Sequence, residues 1–145
     1  MEKKIDIVLQ PGALSPQYMT RGSAGADLYA YLREPITIPS GEWRAIPTGV
    51  SIALPEHLEA QIRPRSGLAL RNGITVLNAP GTIDSDYRGE IVVVLINHAQ
   101  ETYTVRPQDR IAQMVIAPVI QGEFQEVASL DSTERNENGF GHTGK

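Results

Sequence analysis

Ten prolines are spread through the 145 residues. Inside a helix each would remove a backbone donor and clash with the preceding turn. Long helices are therefore excluded over most of the chain, whereas short strands separated by proline turns suit a sandwich or barrel. The apolar residues agree. Val50, Ile52 and Leu54 alternate with polar or small residues, and Leu58, Ala60 and Ile62 repeat the pattern, the period of a strand with one buried face. The run EIVVVLIN, residues 90–97, is apolar and β-branched, which predicts a strand buried on both faces. TYTV followed by RPQD reads as strand then turn.

One segment departs from this rhythm. In RSGLALRNG, residues 65–73, Ser66 can cap a short helix, residues 68–71 are good helix formers and Gly73 can end it. The expectation is an all-β chain with one short helix near residues 66–72. A single domain over residues 1–130 is expected, followed by a tail, 131–145, whose one large apolar residue, Phe140, cannot build a core.

Composition narrows the function. The net charge of −4 argues against a broad nucleic-acid surface, which shows as a basic excess. A small anionic ligand stays open. No cysteine is present, and His57, His98 and His142 lack the clustering of a zinc site. The apolar run 91–96 is far short of the roughly 20 residues of a membrane span. MEKKIDIVLQPG at the start lacks the long apolar region of an export signal, so the expected setting is cytoplasmic, with no membrane partner.

The closing GFGHTGK fits the pattern G-x-x-x-x-G-K of a phosphate-binding loop. Such a loop needs a helix after it and a Ser or Thr after the lysine; neither follows Lys145. The tail reads either as an unstructured end or as a lid. For the lid, Phe140 between glycines can stack on a planar ring, while Arg135 and Thr143 can reach phosphate oxygens.

Other segments carry chemistry only as alternatives. PRSGLA, 64–69, puts Arg65 beside a helix start: an anion site, or a capped helix with a solvated arginine. In NAPGTIDSDYRGEI, 78–91, a long hairpin carries Asp84 and, three residues on, Tyr87. Asp84 is either a general base beside a supporting ring or one of three turn residues. Asp27 in AGADL could meet a divalent cation directly or through water. Gln113 in RIAQMVI is a ligand or an outward-facing strand residue.

Taken together, AGADL, PRSGLA, GTIDSDYRGEI, RIAQMVI and R-x-x-x-GFGHTG resemble the five ordered motifs of the trimeric dUTPases. The resemblance spans almost the whole chain. It implies a distorted jelly-roll or β-clip subunit, a homotrimer whose three sites each draw on all chains, and hydrolysis of dUTP to dUMP and pyrophosphate. That reaction limits uracil incorporation into DNA and supplies dUMP for dTMP synthesis.

The resemblance also implies roles. Asn78, Gly81, Thr82, Ile83, Asp84, Tyr87 and Val92 would hold the nucleoside, uracil through main-chain groups and deoxyribose against Tyr87. Asp84 would deprotonate the attacking water. Arg65, Ser66, Gly67, Gln113, Arg135, Gly141, His142 and Thr143 would contact phosphates, Phe140 would cap the uracil, and Asp27 would touch the hydration shell of Mg²⁺. Asn136 stands where the family often has glycine, and His142 where many members have serine; asparagine tolerates left-handed backbone angles, so arm closure is expected to survive.

Two rival readings keep the scaffold: a dCTP deaminase-like enzyme, and a non-catalytic nucleotide-binding homologue. The IDSDYRGE pattern and the complete tail favour phosphate cleavage over the first, and the retained Asp27, Asp84 and Arg135 count against the second.

Overall fold

Antiparallel pairing organises every strand of the computed structural model, which describes residues 3–140. In chain order the strands are β1 (Asp6–Leu9), β2 (Gly25–Tyr29), β3 (Ile36–Ile38), β4 (Trp43–Pro47), β5 (Val50–Ala53) and β6 (Leu58–Arg63). After the helix α1 (Ser66–Asn72) come β7 (Ile74–Val76), β8 (Gly81–Ile83), β9 (Val92–Asn97), β10 (Tyr103–Val105) and β11 (Arg110–Pro118). The largest sheet has the order β2-β11-β6-β8, a second runs β4-β9-β7, and β1-β5 and β10-β3 form two-stranded pairs. The chain is a distorted jelly roll.

The alternation in the sequence sets the core. Val50, Ile52, Leu54, Leu58, Ala60 and Ile62 are all buried, with Leu28, Ile38, Ile46, Ile74, Ile91, Leu95 and Ile111 almost wholly removed from solvent. One expectation is corrected in part in β9: Val93, Leu95 and Asn97 enter the core and Ile96 is buried on the other face, but Val92 is exposed and Val94 half-buried. Alternation in the central strand of a sheet sends these two side chains to the opposite face.

Asn97 is the polar pin of this core. Fully buried, it donates through Nδ2 to the carbonyls of Ile38 (2.9 Å) and Glu101 (2.8 Å), and its Oδ1 accepts from the Ala99 N–H (2.9 Å). An Asn97→Leu change strands two acceptors and a donor. It is expected to cost about 3 kcal/mol of stability, read as a lower urea midpoint at unchanged slope.

α1 lies where the sequence placed it, and Gly73 closes it at φ 62°, its N–H donating to the Ala69 carbonyl at 3.1 Å. Ser66 does not cap it. The cap position is Arg65, in an extended conformation (φ −92°, ψ 127°) and without a side-chain cap bond, because Ser66 is already the first helical residue. The Arg65 side chain turns instead toward Asp27.

β7 and β9 pair across residues 77–91, so the expected long hairpin is present, but β8 inside it leaves for the other sheet and pairs with β6. The strands end at Pro118, and residues 120–140 are exposed. Exposed chain thus starts ahead of residue 131. Among the described residues no helix is long and apolar enough to cross a membrane.

Candidate active site

Two groups of residues singled out in the sequence form two separate places in one chain. The first is built around Asp27, in the middle of β2 and 8% exposed. Its Oδ1 meets Arg65 Nε and its Oδ2 meets Arg110 Nη1, both at 3.3 Å. β11 runs between β2 and β6, placing Gln113 opposite both Asp27 and Arg63. Gln113 does not simply face outward: its Nε2 donates to the Pro64 carbonyl at 2.9 Å. Arg65 Nη1 also donates to the Arg110 carbonyl at 3.3 Å. These contacts tie the turn entering α1 to β2 and β11 through Pro64 and Arg65.

Small residues let this corner close. A Cβ on Gly25 would run into the Gln113 carboxamide, and one on Gly67 would come within 2.7 Å of Arg71 Nη2. Burial, and next the Asp109 carboxylate, push the Tyr103 hydroxyl above its ordinary value of 10.0; the nearby Arg65 charge pulls it the other way.

Asp27 suits a hydrated cation better than a dehydrated one. Both its oxygens already have arginine partners, and no group of three or more His, Cys, Asp or Glu side chains that could enclose a metal occurs among the described residues. Mg²⁺ dehydrates reluctantly and commonly uses one or two carboxylates with substrate phosphates, keeping its waters. One buried carboxylate flanked by two guanidinium groups fits that habit.

The second place lies at the far edge of the same sheet. β8 ends at Ile83, and Asp84 follows as an exposed residue at the start of a tight turn in which the Tyr87 N–H donates to the Asp84 carbonyl (3.2 Å). Tyr87 is half-exposed, and its hydroxyl donates to the Glu90 carbonyl at 2.9 Å. Asn78 lies against Gly81, where a Cβ would approach its Nδ2 to 3.4 Å. Thr82 and Val92 are exposed and Ile83 half-buried. Asp84, Ser85 and Asp86 share a concavity of about 660 Å³ with Glu56, Leu58, Glu59, Val119 and Gln121. Its lining carries four carboxylates and no cation.

Among the described residues no side-chain hydrogen bond or ion pair links the two places. β2 and β8 are opposite edges of the four-stranded sheet, three strand spacings or about 14 Å apart. The described tail residues Arg135 and Phe140 join neither. Arg135 donates from Nε to its own turn at the Asn138 carbonyl (2.8 Å), and Phe140 is fully exposed. Asn136 does adopt a left-handed angle, φ 45°, in a turn held by reciprocal bonds with Thr133. Gly141, His142 and Thr143 lie outside the described residues.

Arg110, Thr48 and Glu90 are absent from the sequence-based site, although each touches one of its members or their supports. Arg110 opens the RIAQMVI motif and could have been suspected from it. Glu90 offered only an acid ahead of an apolar run.

One edge of the sheet thus carries Tyr87 with Arg88 in the same turn, and the other the Asp27, Arg65 and Arg110 cluster. Comparisons with known proteins identify the family. The dUTPase family model matches residues 13–144. The deoxyuridine 5'-triphosphate nucleotidohydrolase of Fusobacterium nucleatum subsp. nucleatum is 52% identical over 142 residues, covering 98% of this chain and 97% of that protein. Its counterpart of Chlamydia pneumoniae is 55% identical over 137 residues, 94% of each. Among solved structures, the dUTPase of Staphylococcus bacteriophage 80alpha with dUPNHPP superposes with a TM-score of 0.89 at 23% identity, covering 99% of this chain and all of that one. The chain belongs to the dUTPase family.

Proposed function

We propose that this chain hydrolyses dUTP to dUMP and pyrophosphate, with water activated by Asp84 attacking the α-phosphorus in line. The observation that carries the reading is Asp84 standing at the open edge of β8, one short turn from Tyr87, in a chain of this family. Uracil is held by main-chain groups of residues 78–92 with Asn78, and the deoxyribose packs on Tyr87. Main-chain donors and acceptors leave the amino group of cytosine badly paired, while close packing rejects the thymine methyl and the ribose 2′-hydroxyl.

The Asp84 carboxylate orients the water and takes its proton as the new bond to the α-phosphorus forms and the bond to the bridging oxygen breaks; pyrophosphate leaves with that oxygen. Arg65, Ser66, Gly67 and Gln113 hold phosphate oxygens, and Arg135 reaches the terminal phosphate. Gly141, His142 and Thr143 join them, and Phe140 covers the uracil. Asp27 would hold Mg²⁺ through water, and the bound ion would offset the phosphate charge.

The divided site supports assembly as a homotrimer. Four carboxylates line the concavity at the Asp84 edge and repel a triphosphate, and Arg88 beside them is engaged by the Ser85 and Tyr87 carbonyls, so in this reading further cations come from another surface. In this reading one subunit gives the 78–92 hairpin, another the Asp27 and Arg65 corner, and the tail closes over both. A cytoplasmic setting, with uracil kept out of DNA and dUMP passed to dTMP synthesis, belongs to the same proposal.

Hydrolysis in ¹⁸O-labelled water tests the point of attack. Label recovered in dUMP supports attack at the α-phosphorus, and label in pyrophosphate contradicts it.

A further inference from the structure

The Tyr87 ring is held by the core through Glu90, and we propose that Glu90 is a positioning residue that sets the preference for deoxyribose over ribose. The inference rests on the dUTPase reading above. The hydroxyl end of Tyr87 lies close against Gly89: a Cβ there would come within 2.6 Å of its Cζ. Its hydroxyl then donates to the Glu90 carbonyl at 2.9 Å. The other end of that same peptide, the Ile91 N–H, donates to the Val50 carbonyl at 2.8 Å. A peptide unit is rigid and planar, so strand β5 fixes the oxygen that the tyrosine hydroxyl holds.

Two further bonds secure this peptide on either side. The Glu90 Oε1 accepts from the Gly49 N–H at 2.6 Å, and Thr48 Oγ1 donates to the Ile91 carbonyl at 2.6 Å. Thr48 and Val50 are each only 1% exposed, so the anchor is core rather than loop. Gly49 is suited to its place: at φ 67°, a Cβ would sit 2.6 Å from Ala13 Cβ and 3.0 Å from Tyr31 Cγ.

The functional consequence follows from size. Rejecting a 2′-hydroxyl is a matter of one small group, and a ring free to shift by an ångström would admit it. A tyrosine borne only by the exposed turn 84–89 has that freedom. Removing the Glu90 carboxylate leaves the Gly49 N–H without its acceptor and removes one of the bonds that fix the 90–91 peptide, loosening the ring while leaving Asn78 and the main chain of β8 paired as before.

The test compares kcat/KM for dUTP, UTP and dCTP in the full-length protein and in Glu90→Ala, Glu90→Gln and Tyr87→Phe. Glu90→Ala is expected to reduce the dUTP-over-UTP ratio about tenfold and to leave the dUTP-over-dCTP ratio within about twofold. Glu90→Gln keeps an oxygen acceptor for Gly49 and should hold the sugar ratio near the parent value. Tyr87→Phe, which loses the bond to the Glu90 carbonyl, should reproduce the loss. An unchanged sugar ratio in folded Glu90→Ala overturns the proposal, as does a parallel fall in both ratios, which marks general damage. If Glu90→Ala does not fold, Tyr87→Phe decides between the same outcomes. A parent protein inactive on dUTP would overturn the dUTPase reading itself, whereas an active parent with unmoved ratios would sink this inference alone.

Discussion

Asp84→Asn is expected to lower turnover of dUTP by about 10²–10⁴-fold, the usual contribution of a positioned base, while nucleotide binding stays near the parent value. Asparagine keeps the size and the hydrogen-bonding reach of the side chain but cannot take a proton from water. Asp84 is exposed, and its fold-side contact is made by its backbone carbonyl, which accepts from the Tyr87 N–H. The substitution should therefore leave the turn and the thermal midpoint almost unchanged. A rate within a few-fold of the parent protein would remove Asp84 as the base; loss of dUTP binding in equal measure would make it a binding residue instead.

Deleting residues 134–145 is expected to be nearly as damaging to turnover, about 10²-fold or more, through lost positioning and lost phosphate charge. The fold should not suffer. The buried core is drawn from residues 26–114, and Arg135 and Phe140 contribute nothing to it. Circular dichroism and the urea midpoint should match the full-length protein while single-turnover rates collapse. Near-normal turnover in the truncated protein would reject the tail as a lid. Arg135→Ala alone should reproduce part of the loss in rate if charge at the terminal phosphate matters separately from the aromatic cover.

The sequence made local chemistry legible and long-range pairing much less so. Period-two alternation in residues 50–62 marked the buried face of β5 and β6, and Gly73 marked the end of α1. These depend on residues near one another in the chain. Ser66 failed as a cap by one position, a typical boundary error, because Arg65 is recruited by Asp27, 38 residues away.

Long-range register explains the remaining gaps. Asp27 was visible in AGADL, but its second partner, Arg110, is brought to it by the β2–β11 pairing. β8 reads as part of a hairpin, yet it pairs with β6, a choice made by packing among similar apolar strands. The Glu90 contact with Gly49 spans 41 residues and leaves no local mark. The placing of Asp27 and Asp84 toward opposite edges of one sheet likewise depends on strand order, which neither composition nor periodicity encodes.

The most direct measurement is pyrophosphate release by the purified protein with Mg²⁺, supplied separately with dUTP, dCTP, dTTP and UTP. Rapid release from dUTP and little from the other three is the predicted result, since it requires the reaction, the base preference and the sugar preference together. Ammonia from dCTP without pyrophosphate from dUTP would assign the scaffold to deamination, and silence on all four would contradict catalysis altogether.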